Sequence, residues 1–280
     1  MTVAGAVDLL VVAKNQRIGY GAFNVIQLEH AEAIISGAED VELPVIVQIS
    51  ENAVKYHGGL AALGTATLIM ARDSELPIVV HLDHAEDEDL VREALDLGFK
   101  SIMFDGSKLP WEKNVERTAE MARLCHGYGA SIEAELGEVG GKDGAHAPGV
   151  RTDPEEARVF VKETGVDSLA VAVGTSHAMA DRSAVVDLEL IAALAESAGV
   201  PLVLHGSSGV DDAGLQAAVR AGICKVNIGT RLNQVMTEAV REALAAQPAL
   251  SDPRKYLGPG RAAIRAEIAR MVSLLAKPGQ

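Results

Sequence analysis

The chain has 280 residues, 48% of them hydrophobic and 23% charged, enough to bury a large core and to fill one α/β barrel. A formal net charge of −14, with 25 basic residues scattered rather than clustered, argues against nucleic-acid binding and leaves an acidic exterior ordinary for a soluble enzyme. Aromatic residues make up only 3%, with Trp111 the single tryptophan, so the core has to be built from Val, Leu, Ile and Ala.

The first predicted element is a helix over Val7 to Lys14. Lys14-Asn15-Gln16-Arg17 interrupts its apolar run far short of a membrane span, and no basic lead-in marks a signal peptide. Cys125 and Cys224 stand apart with no CxxC pairing, so a reducing, cytoplasmic setting without membrane association is expected.

Eight β-rich runs follow: Gly19 to Val25, Pro44 to Ser50, Pro77 to His84, Ser101 to Ser107, Ser131 to Gly137, Ser168 to Gly174, Pro201 to Ser208 and Lys225 to Thr230. The segments between them have helical spacing of apolar residues, as in Leu90, Ala94, Leu95 and Leu97, or Leu215, Ala218 and Val219. Asp153-Pro154-Glu155-Glu156 is a helix start, and Gly98, Gly165 and Gly222 sit where helices end. Apolar strands alternating with amphipathic helices imply parallel strands covered by helices, and eight repeats close into a (β/α)8 TIM barrel. Residues 1–280 are expected to form one such domain, with extra helices at both ends: the N-terminal one, then Leu232 to Ala246 and Gly260 to Ala276, separated by Asp252-Pro253. The longest irregular stretch, Glu138 to Asp153, begins where strand five ends, and a loop of that length in a compact barrel is usually functional or mobile.

In such barrels the active site lies at the carboxyl ends of the strands. Those ends read Asn24, Gln48 and Ser50, Asp83 and His84, Asp105, Glu133 and Glu135, Gly174 to His177, His205 to Ser208, and Asn227 to Thr230. Three of the eight histidines, His84, His177 and His205, end strands three, six and seven. Taken singly, each is more simply a hydrogen-bonded strand-end residue; three on one rim suit a catalytic Zn²⁺ with an open fourth position. His81, His30, His57, His126 and His146 read as packed or solvated. Asp105 and Glu135 can orient the imidazoles or hold a further cation, a monovalent ion among the expectations, against the plainer reading of carboxylates capping neighbouring loops. The small-residue turns His205-Gly206-Ser207-Ser208-Gly209 and Asn227-Ile228-Gly229-Thr230 follow strands seven and eight, where barrels commonly bind phosphate through backbone N–H groups and hydroxyls.

AFNV, VIVQIS, VVHLDH, SIMFDGS, IEAELGEVGG, LAVAVGTSH, PLVLHGSSG, KVNIGT and DPRKYLGPGR together span nearly the whole chain, and with them the sequence resembles the class II, zinc-dependent fructose-bisphosphate and tagatose-bisphosphate aldolases. The resemblance implies reversible aldol cleavage of a ketose phosphate to dihydroxyacetone phosphate and an aldehyde, through a Zn²⁺-stabilised enediolate, with one ion per subunit on His84, His177 and His205. It implies Asp83 as the acid/base at the aldehyde oxygen and Asn227 at the enediolate. Gly206, Ser207, Ser208, Ile228, Gly229 and Thr230 are expected around the phosphate, with Asn24, Gln48 and Ser50 binding elsewhere along the substrate. Relatives imply a homodimer or homotetramer, and the small-molecule partner is a phosphorylated sugar.

The sequence departs from the family at two places. The loop reads Gly140-Gly141-Lys142-Asp143-Gly144, one acid fewer than the family's, so Asp143 stands in for a Glu one methylene longer as the base for the carbon-bound proton. Ala178 follows His177 where Gly is usual. Arg254 and Arg261 reach a phosphate or serve as exposed salt-bridge partners. A zinc hydrolase would need an HxH pair on strand one, which has no histidine. A Schiff-base aldolase would need a lysine at a strand end, and Lys225 is expected at the entrance of its strand. Two readings stand beside the bisphosphate aldolase: an aldolase for a phosphorylated keto-acid of inositol breakdown, and a catalytically impaired sugar-phosphate binder.

Overall fold

The computed structural model describes residues 4–137, 151–175 and 184–277. Its eight parallel strands are β1 (Tyr20–Asn24), β2 (Val45–Ser50), β3 (Ile78–Ala85), β4 (Ser101–Phe104), β5 (Ser131–Leu136), β6 (Ser168–Val171), β7 (Leu202–Leu204) and β8 (Ile223–Ile228). They pair in chain order, and β1 also pairs with β8, which closes the (β/α)8 barrel.

The covering helices are α2 (Leu28–Glu39), α3 (Glu51–His57) and α4 (Ala61–Asp73), α5 (Glu88–Leu97), α6 (Trp111–Gly127), α7 (Pro154–Thr164), α8 (Leu188–Ser197) and α9 (Asp212–Ala221). Each buries the face its periodicity marks: Leu90, Val91, Ala94 and Leu95 on α5, Leu215, Ala218 and Val219 on α9. Asp153 caps α7 by accepting from the backbone N–H groups of Glu155 and Glu156, and Gly98 and Gly165 end their helices at φ 101 and 71, in the region that favours glycine.

Helix α1 (Ala6–Gln16) packs Ala6, Leu10 and Ala13 against Tyr20, Ala22, Ile46, Val79 and Cys224, an apolar cluster separate from the main core. This cluster closes the amino end of the barrel. Two further helices follow β8: α10 (Thr230–Ala246) and α11 (Pro253–Ala276).

Three expectations need correction. Strands four, six and seven are shorter than their β-rich runs: the strand pairing ends before Asp105-Gly106, Ala172-Val173-Gly174 and His205-Gly206, and Ser207–Gly209 forms a 3-10 turn. Helix α11 starts at Pro253 rather than Gly260. Asp252 caps it and Pro253 fits its first position, and packing against α10 and α2 carries the helix through Pro259. Finally, β8 begins at Ile223, so Lys225 is its third residue and lies buried in the strand, not at its entrance.

Candidate active site

The opening problem of the site is geometric. Neighbouring residues of a regular strand point to opposite faces, yet Asp83 and His84 are adjacent in β3 and both are buried among the polar strand ends. The pairing of β3 with β4 shows how. Leu82 is opposite Ile102 and Ala85 opposite Phe104, so three steps on β3 match two on β4. The extra residue is a bulge, and His84 takes a left-handed backbone at φ 50. Such a conformation in a non-glycine residue costs on the order of 1–3 kcal/mol and collects at functional sites.

Both side chains are then held from several directions. The carboxylate of Asp83 accepts from Asn24 Nδ2 at 3.0 Å and from Asn227 Nδ2 at 3.1 Å, so β1 and β8 fix its plane. His84 Nδ1 lies 2.8 Å from Asp105 Oδ2, while Asp105 Oδ1 accepts from the backbone N–H and hydroxyl of Ser107. Asp105 therefore contacts both the imidazole and its own loop. Burial pushes the Asp83 carboxyl up, but the positive character of His84, Lys225 and His205 outweighs it and brings it down to about 2.

His205 follows β7 and is fully buried. A carboxylate faces each of its ring nitrogens: Glu135 Oε2 is 2.9 Å from Nδ1 and Glu133 Oε1 is 3.1 Å from Nε2. Burial works against a charge there, and the two glutamates overcome it and raise the group to about 9. The rings of His84 and His205 meet edge to face with centroids 4.6 Å apart, and His84 Nδ1 is 4.0 Å from Glu135 Oε2. Potential ligand atoms of Asp83, His84 and His205 lie within 4.8 Å of one another, as do those of His84, Asp105 and Glu135.

Two crowded imidazoles backed by three carboxylates, all out of water, suit a bound divalent cation. They are the residues that would hold it. His177, Ala178, Asp143 with the rest of the stretch 140–144, and His146 lie outside the described residues.

The expected phosphate turns open onto the same cavity, of about 430 Å³, as Asp83 and His84. Gly206 leaves β7 at φ 64, which a side chain would resist, and Ser207 donates its hydroxyl to the carbonyl of Asn227, tying the two turns together. Gly229 approaches Asn24 so closely that a Cβ there would meet Asn24 Oδ1 at 2.8 Å. Thr230 starts α10, so backbone N–H groups of a helix N-terminus border the cavity alongside Ser208, Ile228 and Gly229.

Ser50 lines the cavity and also caps α3 by accepting from Ala53 N. Gln48 does not line it: it is wholly buried and donates to Asn24 Oδ1 at 3.0 Å, one layer behind the wall. Arg254 is 89% exposed at its side chain and pairs with Asp252, and Arg261 pairs with Glu32; neither borders the cavity. His81 is buried and bonded, His30 is buried, His126 pairs with Asp167 at 3.0 Å, and His57 is exposed, in keeping with a packed or solvated reading for those four.

The cavity wall also includes Glu51, Asn52 and Lys55 of α3, Glu86, Arg231 and Gln234, which sequence reasoning did not single out. A signal existed for α3: Ser50 as a cap, Gly58 as a stop, and residues 51, 52 and 55 within one turn of each other.

Comparison with known proteins gives the chain's family. The family model described as "Fructose-bisphosphate aldolase class-II" matches residues 5–280. The probable fructose-bisphosphate aldolase of Bacillus subtilis is 38% identical over 269 residues, covering 95% of this chain and 94% of that protein. The fructose-bisphosphate aldolase of Geobacillus stearothermophilus is 37% identical, covering 96% and 95%. Among solved structures, the YdjI aldolase from Escherichia coli K12 superposes with a TM-score of 0.88 at 30% identity, covering 99% of each chain. A putative fructose-1,6-biphosphate aldolase from Coccidioides immitis gives 0.87 at 30% identity, covering 98% and 96%. Matched from end to end by sequence and by structure, the chain belongs to the class II fructose-bisphosphate aldolase family of metal-dependent lyases.

Proposed function

We propose that the chain reversibly cleaves a ketose bisphosphate, fructose 1,6-bisphosphate or tagatose 1,6-bisphosphate, into dihydroxyacetone phosphate and an aldehyde. The observation that carries this reading is the sharing of one cavity by Asp83 and His84 on one side and the two small-residue turns on the other. A phosphate on the turns then fixes the substrate's reacting carbons against the acid and the imidazoles, which is the entropic part of catalysis.

Zn²⁺ is the ion proposed, one per subunit, on His84, His205 and His177, the last assigned from sequence alone. When bound, it supplies Lewis-acid stabilisation of negative charge at the carbonyl end of the substrate. Asp105 and Glu135, pressed against the imidazoles, orient them; a monovalent cation beside them is part of the proposal.

Asp83 carries the proton. Its carboxylate is held ionised and accepts two amide N–H bonds, so in the cleavage direction it takes the proton of the hydroxyl next to the breaking carbon–carbon bond. The aldehyde forms as the bonding pair passes to the ketose half, whose negative charge faces the amide of Asn227. Asp143, protonated beforehand, gives a proton to the carbon left with that pair, and takes it back in the reverse direction. The phosphate rests on Gly206, Ser207, Ser208 and the run Asn227, Ile228, Gly229 and Thr230, while Asn24 and Ser50 bind along the remainder of the substrate.

Cys125 and Cys224 are free and buried, which supports a reducing, cytoplasmic setting; among the described residues no helix is long and apolar enough to cross a membrane. Assembly as a homodimer or homotetramer is part of the proposal on the family resemblance alone.

The test is a coupled assay of triose phosphate release with Zn²⁺ present, run across fructose 1,6-bisphosphate, tagatose 1,6-bisphosphate and the phosphorylated keto-acid of inositol breakdown. Turnover of either bisphosphate is the expected result. Turnover of the keto-acid alone reassigns the substrate, and binding without turnover of any supports the impaired-binder reading.

A further inference from the structure

The first turn of α10 carries the wrong charge for a helix start. The N–H groups at a helix N-terminus favour an acid, yet this turn has none, no side chain caps it at Gly229, and its second residue is Arg231. Arg231 borders the substrate cavity together with Gly229 and Thr230. Side chains on a helix tilt toward its N-terminus, so that of Arg231 sets out toward the turn after β8 rather than away from it.

Hydrogen bonds to the protein use only part of this guanidinium. Nε donates to Glu267 Oε1 at 3.0 Å, while among the described residues the N–H groups of Nη1 and Nη2 have no hydrogen-bond partner. Glu267, 8% exposed on α11, is already held from its own helix: Arg270 donates to Oε1 at 2.8 Å and to Oε2 at 3.2 Å. The single bond from Nε ties α10 to α11. It does not account for the rest of the fork, which is left on the cavity wall beside the small-residue turns.

An anion accounts for both features. A phosphate set between the N–H groups and the guanidinium turns an unfavourable neighbour of the helix dipole into a favourable one, and its oxygens match the spacing of two guanidinium N–H donors.

We propose that Arg231 is a phosphate-binding residue of this cavity: Glu267 holds Nε, and Nη1 and Nη2 donate to the phosphate of the ketose half on the turns after β7 and β8. The inference rests on the sugar-phosphate reading of the cavity. It adds a side-chain charge where the turns supply only N–H groups and hydroxyls. Because the phosphate is bound before, during and after the bond breaks, Arg231 sets affinity and leaves the chemical step alone.

The test compares the full-length wild type with Arg231→Gln in both directions of the reaction and in inhibition by inorganic phosphate. In the variant, KM for the bisphosphate, KM for dihydroxyacetone phosphate in condensation and Ki for inorganic phosphate are all expected to rise roughly 10- to 100-fold, the usual worth of charge-assisted hydrogen bonds. A loss confined to binding leaves kcat within about threefold of wild type. Unchanged KM and Ki in a folded variant overturn the proposal, and so does a fall in kcat at constant KM. A rise for the bisphosphate without one for dihydroxyacetone phosphate puts Arg231 at the other end of the substrate and overturns it as well. If Arg231→Gln does not fold, phenylglyoxal modification of the wild type decides by peptide mapping: slower modification of Arg231 with inorganic phosphate present supports the proposal, and an unchanged rate at saturating phosphate overturns it. A wild type that turns over no ketose phosphate refutes the functional reading, while the phosphate protection of Arg231, which needs no turnover, still answers for the residue.

Discussion

The two ends of the barrel are built from the same strands and put to opposite uses. At the amino end Tyr20, Ile46, Val79 and Cys224 meet Leu10 of α1 in an apolar plug that removes hydrocarbon from water. At the carboxyl end the continuations of those strands present Asn24, Ser50, Asp83 and Asn227 to a cavity, and the backbone of His84 is strained to bring a second side chain inward. One end lowers the free energy of the fold, while the other spends some of it on buried carboxylates, imidazoles and a left-handed residue. Substitutions at the two ends should therefore fail in different assays.

The largest expected effect belongs to the carboxyl end. Asp83→Asn keeps the side chain's shape but removes the proton acceptor, and kcat for bisphosphate cleavage should fall by roughly 10²- to 10⁴-fold. Zn²⁺ content and melting temperature should stay near wild type, and a variant retaining more than a tenth of the activity would break the contrast. At the amino end, Leu10→Ala leaves a hole in a residue that is 2% exposed and should cost about 2–5 kcal/mol in denaturant unfolding. Activity per folded molecule should not change; a drop in kcat would mean that the plug also shapes the site.

The smallest effect sharpens the contrast at a third place, the join of α10 and α11. Burial pushes the Glu267 carboxyl up, and hydrogen bonds from Arg270 and Arg231 outweigh it and hold it below the usual carboxylate range. Its folded value is thus below its unfolded one, so its contribution is present above the ordinary carboxylate range and is lost as pH falls through the folded value. Glu267→Gln should flatten the acid limb of melting temperature against pH while changing stability at pH 7 by about 1 kcal/mol or less. An unchanged acid limb would show that the ion pairs contribute nothing.

Much of the fold could be read before any coordinates, since Val- and Ile-rich runs alternate with helices that mark their own starts and stops, as Asp153-Pro154 and Gly165 do. The strand-end residues of the site were legible for the same reason: once the strands are placed, His84, His205 and Asp105 must gather at one rim. What escaped were features set by tertiary context. No glycine or proline marks the bulge at His84, so nothing local distinguishes it from regular strand. Ile223 and Cys224 follow Gly222 and read as loop, which placed Lys225 at the first position of a strand in which it is third. Gln48 has the residue type of a substrate binder, but it is buried, donates to Asn24 and does not reach the cavity. The polar helix α3 lacked the apolar stripe that reveals the others, and with it went Asn52 and Lys55 on the cavity wall.

The most direct test of the central claim, a metal-dependent cleavage centred on His84 and His205, is the rate of bisphosphate cleavage before and after removal of divalent ions. The expected result is loss of activity by about 10³-fold or more on chelation, recovery with one equivalent of Zn²⁺ per subunit, and no recovery in His205→Ala. Cleavage that survives chelation, or that borohydride abolishes in the presence of substrate by trapping a lysine, would contradict it.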